Sequence, residues 1–77
     1  MNEKHIYILE KVRELNGKMS MIYVDFALGK EIGETPDILI NDLIRERLLL
    51  YGNNGDKKNY QEYIKLTLKG CEFLSNI

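Results

Sequence analysis

The stretch Ile32-Gly33-Glu34-Thr35-Pro36-Asp37-Ile38-Leu39-Ile40-Asn41-Asp42-Leu43-Ile44-Arg45-Glu46 decides the fold. Thr35-Pro36-Asp37 has the form of a helix start: a hydroxyl able to cap, a proline suited to the first position, and an acid near the positive end of the helix dipole. The spacing predicts a helix over 36–46. On a helical projection Leu39, Ile40, Leu43 and Ile44 share one face, while Asp37, Ile38, Asn41, Asp42 and Arg45 occupy the other. The preceding link, Lys30-Glu31-Ile32-Gly33-Glu34, is short and carries a glycine at its bend. That is the shape of a helix-turn-helix connection.

Upstream, Ile8, Leu9, Val12 and Leu15 recur at helical spacing between Glu3 and Leu15, and Asn16-Gly17 supplies a stop suited to positive φ. Met19–Leu28 admits two readings. Met21, Ile22, Tyr23, Val24 and Phe26 favour a strand, whereas Ser20 as a cap, the four-residue spacing of Ile22 and Phe26, and Gly29 as a stop favour a helix. The helical reading over about 21–29, preceded by one or two extended residues, fits better. Downstream the period changes to two. Leu48-Leu49-Leu50-Tyr51 reads as a strand, Gly52-Asn53-Asn54-Gly55-Asp56 as a turn, and Tyr60 to Leu66 as a second strand, giving a hairpin with a loop over 52–59. Thr67 can then cap a helix from Leu68 to Ser75.

The expected architecture is therefore α+β: a winged helix-turn-helix of three helices, a β-hairpin wing and a short C-terminal helix, forming one domain over 1–77. Its expected core is Ile8, Leu9, Val12, Phe26, Ile40, Leu43, Ile44, Leu48, Leu50, Ile64, Leu66, Phe73 and Leu74.

The chain has 77 residues, with Lys+Arg 11 against Asp+Glu 12 and a net charge of -1, so it is not a strongly basic nucleic-acid domain. One cysteine excludes an internal disulfide and any multi-cysteine zinc site. No apolar run approaches the ~18 to 20 residues that cross a bilayer, and the early Glu3 and amphipathic start argue against a signal peptide. A cytoplasmic protein without membrane contact is expected.

Ile32 to Asp37, followed by Leu43, Glu46 and Leu48, resembles the turn and third helix of small winged-helix domains. Leu66-Thr67-Leu68-Lys69-Gly70-Cys71-Glu72-Phe73-Leu74 is similar to the L-T-x-K-G-x-x-[YF]-L tail that ends many of them. Among these, the chain most resembles the YjcQ family and related small proteins encoded by prophages of Gram-positive bacteria. The resemblance implies a winged-helix fold and a habit of DNA binding.

Enzyme chemistry finds little support. The single His5 and single Cys71 have no third orienting group, and they read as a surface histidine and a packing cysteine. No residues have metal-ligand spacing, no glycine loop is built for phosphate, and no cofactor is expected.

Duplex DNA fits better. Asn41 and Arg45, four residues apart on the outer face, suit purine edges, and Lys57 and Lys58 on the wing suit flanking phosphates, with Lys65 and Lys69 nearby. Residues 48–77 carry a net +1 and residues 1–47 a net -2. Few cations per module make a homodimer the expected binding form. A second reading is a non-catalytic docking module whose acidic third helix, through Asp37, Ile38, Asp42 and Glu46, engages a basic host protein. Ile38, Met19 and Met21 could then form an apolar docking patch. Tyr60 and Tyr63 could stack unpaired bases, although tyrosines in hairpins are more often cross-strand packing partners.

Overall fold

The computed structural model describes residues 1–77. Helix α1 spans Glu3–Glu14 and is capped at both ends. Asn2 accepts from the backbone N–H groups of Lys4 and His5, and the His5 ring accepts from the Asn2 N–H, a reciprocal capping box in which histidine takes the usual Glu or Gln position. At the far end Asn16 adopts φ 63°, and the bonds Gly17 N–H to Val12 O and Asn16 N–H to Arg13 O close the last turn. The Asn16-Gly17 stop acts as its residues predict.

Strand β1, Lys18–Ser20, follows. Helix α2 then runs continuously over 21–32, made of Met21–Tyr23, a wider π-helical segment Val24–Leu28, and Gly29–Ile32. Ser20 caps it by accepting from Tyr23 N–H. Gly29 does not end this helix. Its missing Cβ accommodates the returning chain, since a Cβ there would sit 3.3 Å from Glu34 O, and the actual stop is Gly33 at φ 77°.

Helix α3 spans Asp37–Arg45, slightly shorter than the predicted 36–46. Pro36 precedes the helix rather than opening it, and no side chain caps the N-terminus, so Thr35 does not serve as the expected cap. Strand β2, Leu49–Asn54, and strand β3, Gln61–Leu66, form the hairpin, and α4, Leu68–Ser75, closes the chain. Strand β2 runs three residues past its predicted end at Tyr51, whereas β3 begins one residue later than predicted. Asn54 still pairs with Gln61, so the loop is 55–60 rather than 52–59.

The sheet is antiparallel, in the order β1-β3-β2. Met19 lies opposite Ile64, and Leu49 opposite Leu66, so these residues share the face that covers α1 and α3. Ile8, Leu9, Val12, Met19, Leu28, Leu43, Leu49 and Ile64 are fully enclosed in one apolar cluster. Three expectations for the core are corrected. Phe26 is 73% exposed because Val24, Leu28 and Ile32 present the inner face of α2 instead. Leu50 alternates outward from Leu49 and is exposed. Met19, expected in a surface patch, is fully buried by its pairing with β3.

The Thr67 region explains the structural content of the C-terminal motif. The Thr67 hydroxyl accepts from Gly70 N–H and donates toward Arg47 O and Leu48 O. Gly70 is buried where a Cβ would meet Leu48 O at 2.4 Å. Only glycine lets α4 press this closely on the start of β2. No helix is long and apolar enough to cross a membrane.

Candidate nucleic-acid interface

The face of α3 away from the core presents Asp37, Ile38, Asn41 and Arg45 to solvent, while Leu39, Ile40 and Leu43 anchor the helix inward. Arg45 is the freest of these, with a side chain 76% exposed and one guanidinium nitrogen 3.6 Å from Asp42 Oδ1. Asp42 is more tightly placed than a surface acid. Its Oδ2 lies 2.9 Å from Nε2 of His5, whose Nδ1 accepts from Asn2 N–H. With Nδ1 accepting, Nε2 carries the proton and donates to Asp42. His5 is thus a buried link from the N-terminus of α1 to α3, not a frayed surface residue.

The C-terminal end of α3 gathers cations. Arg47 N–H bonds to Ile44 O and Leu48 N–H to Leu43 O, a Schellman closure with Arg47 itself in the left-handed region at φ 62°. That conformation turns the chain into β2 and leaves the Arg47 side chain in solvent. Lys69 reaches across from α4 and donates to Glu46 O at 3.0 Å, where the helix dipole is negative. Arg45, Arg47 and Lys69 therefore surround one helix end.

Strand β2 extends this surface. The Tyr51 hydroxyl reaches Asn41 Oδ1 at 3.5 Å, a marginal hydrogen bond that a ligand could replace. Asn53, two residues on and exposed, continues the same side of the strand. Three steps from Tyr51 to Asn54 advance the strand by about 10 Å toward the loop. There Asp56 Oδ1 accepts from Lys58 N–H and Asn59 N–H at 2.9 and 3.0 Å, which holds its carboxyl below the usual carboxylate range. Gly55, at φ 94°, sits where a Cβ would fall 1.9 Å from Asn59 O, so the tip closes only around glycine. With Asp56 turned to the loop amides, the exposed Lys57 and Lys58 crown the tip, and neither is ion-paired.

The structure joins Asn41 to Tyr51 of β2 and leaves Arg45 exposed on α3 and Lys57 and Lys58 exposed at the hairpin tip, with Glu62 opposite Asn53 along the strand between them; Lys65 lies apart. Lys65 alternates with buried Ile64 and lies opposite Lys18 and Leu50 on the outer face of the sheet. On that face Tyr63 lies over Gly52, whose Cβ would fall 2.5 Å from the ring, and under Lys18 Nζ at 4.9 Å from its centroid. Tyr63 is thus a cross-strand packing partner. Tyr60 is exposed, and its hydroxyl donates to Glu62, which raises its pKa.

The sequence reading omits Tyr51 and Arg47. Tyr51 could be found from its place at the strand end following α3. The position of Arg47 depends on the left-handed turn, which carries no glycine or asparagine signal. No group of three or more His, Cys, Asp or Glu side chains is arranged to hold a metal ion. No protein-family model, curated protein or solved structure matches this chain.

Proposed function

We propose that this chain is a winged helix-turn-helix protein that binds duplex DNA as a small transcriptional regulator of bacterial or phage type. Helix α3 enters the major groove and the hairpin loop lies on flanking phosphates. The supporting architecture is the order helix, strand, two helices across a short turn, then two strands, with β1 beside β3. The observation that carries the reading is the Tyr51–Asn41 contact, which joins α3 and β2 into one polar strip. Arg45, Arg47 and Lys69 surround the C-terminal end of α3, and the exposed Lys57 and Lys58 lie in the hairpin loop beyond β2.

In this mode Asn41 and Arg45 supply donors for base edges, and the remaining cations supply phosphate contacts. Five cations per protomer make a modest electrostatic footprint, so two protomers on paired half-sites are required for tight binding. The test is selection of a preferred duplex from a random pool, followed by anisotropy titration of Arg45→Ala. Removing a base contact costs about 1 to 3 kcal/mol on the preferred sequence and little on random duplex. Retention of no duplex at low salt overturns the reading.

A second reading, docking of a basic protein partner on α3, draws on the 74% exposure of Ile38 beside the unpaired Asp37. It loses part of its footing at Asp42, which is drawn toward His5 and Arg45. Asp37→Lys separates the two. It weakens a protein complex but strengthens attraction to duplex.

A further inference from the structure

Helix α2 carries an unexplained apolar surface. Ile22 and Phe26 are 71% and 73% exposed, although Val24, Leu28 and Ile32 already satisfy the core. Tyr60, 55% exposed, stands across a groove from the start of this helix. The groove, about 570 Å³, runs between Met21-Ile22 and the loop end of the hairpin at Tyr60 and Glu62. A second groove of about 500 Å³ passes Phe26 and reaches the α2–α3 turn and Asp37. Asp25 borders both, so the two form one surface along α2.

Its charge is one-sided. Asp25, Glu62, Glu34 and Asp37 border it, against Lys30 alone. Of the four acids only Glu34 is ion-paired, with Lys4. Asp25, Asp37 and Glu62 have no cation within salt-bridge distance.

We propose that this surface docks a cationic amphipathic helix of a partner protein. Apolar residues of the partner, spaced at i, i+3 or i+4, cover Ile22, Phe26 and Tyr60, and its Lys or Arg residues meet Asp25, Asp37 and Glu62. A second copy of this chain is a poor occupant. Two-fold pairing sets one acid-rimmed patch against another, and beyond Lys30 neither supplies the cations that Asp25, Asp37 and Glu62 lack. The apolar centre, Ile22 and Phe26, lies outside the Asn41–Tyr51–Lys57 strip, but the rim acids Asp37, on the outer face of α3, and Glu62, opposite Asn53, border it, so the partner helix and a duplex occupy overlapping surfaces.

The probe is a fluorescein-labelled 18-residue peptide with leucines on one helical face and lysines on the other. Its control carries glutamate in place of lysine. Anisotropy with the full chain at low salt is expected to show saturable binding of the lysine peptide and none of the glutamate peptide. Phe26→Glu is the decisive variant. It adds negative charge, so unspecific attraction of a cation would tighten, whereas loss of apolar docking weakens binding by about tenfold or more. The melting temperature of Phe26→Glu is expected to match wild type, which separates loss of docking from loss of the fold, and the peptide titration contains no duplex, so its outcome does not depend on the DNA reading. No lysine-peptide binding, equal binding of the glutamate peptide, or unchanged or tighter binding by Phe26→Glu overturns the proposal. So does concentration-dependent dimerisation of the wild type that Phe26→Glu abolishes, which assigns the surface to a second copy.

Discussion

Truncating Leu43 to alanine tests whether α3 is seated as described. Leu43 is fully buried in the cluster that α1, α3 and the sheet share, beside Ile8, Leu9 and Leu49. The change removes three carbons, about 2.4 kcal/mol of transfer free energy at ~0.8 kcal/mol per methylene. A cavity adds to this, which places the total at about 2 to 5 kcal/mol. A domain of this length has about 4 to 12 kcal/mol in all. The loss is therefore a large share of the fold, and at about 4 to 8 °C per kcal/mol the melting temperature drops by about 8 to 40 °C. Phe26→Ala provides the contrast. A phenylalanine in the core loses about 3 to 5 kcal/mol on truncation, whereas this exposed one changes stability by about 0.5 kcal/mol or less. Thermal melts followed by far-UV circular dichroism measure both. A Leu43→Ala variant that melts within a few degrees of wild type, or a Phe26→Ala variant that melts far below it, refutes the assignment of inner and outer helix faces.

Gly70→Ala forces a methyl against Leu48 O and costs about 1 to 3 kcal/mol by urea denaturation, despite alanine's better helix propensity; a stabilised variant would show that α4 does not press on β2 this closely. His5→Ala removes one half of the capping box and the donor to Asp42, for a loss of about 2 kcal/mol. His5→Gln, which can restore the capping bond alone, should recover part of it, and a His5→Ala variant as stable as wild type contradicts the buried link. Glu31 accepts from Tyr23 and Tyr7, which holds its carboxyl below its ordinary value. A depressed carboxyl stabilises the fold above its unfolded-state pKa of about 4.3, and that contribution is lost as pH falls through the lowered folded-state value. Denaturation midpoints between pH 5 and 2 should fall less steeply for Glu31→Gln than for wild type; parallel acid limbs would dismiss the tyrosine clamp.

Local signals account for much of the architecture. Asn16-Gly17 ends α1, Thr67 caps α4, and the apolar face of α3 follows from its helical spacing. What eluded the sequence is set by contacts distant along the chain. β1 has three residues and becomes a strand only because Met19 pairs with Ile64. In α2, two sets at four-residue spacing compete, Ile22–Phe26 and Val24–Leu28–Ile32, and both are apolar. Packing against the rest of the fold chooses the second. Gly52 has the composition of a turn yet lies in a strand under the Tyr63 ring. In the candidate site, Asn41, Arg45, Lys57 and Lys58 could be named from their exposed positions. The Tyr51 bridge and the Arg45–Arg47–Lys69 cluster depend on how β2 leaves α3 and where α4 returns. His5 could be read as the partner of Asn2 in a capping box, but its bond to Asp42 spans thirty-seven residues and has no local signal.

The most direct test of DNA binding by the α3–hairpin strip is the salt dependence of duplex affinity for wild type and for Lys57→Ala/Lys58→Ala. If all five cations meet phosphate, log K falls with log salt at a slope of about -4.5 per protomer, from about 0.9 per contact. Loss of the two loop lysines reduces that slope by about 1.8 and weakens binding to every duplex alike. A double variant with the wild-type slope and affinity would contradict the account, because the hairpin tip would then lie away from the DNA.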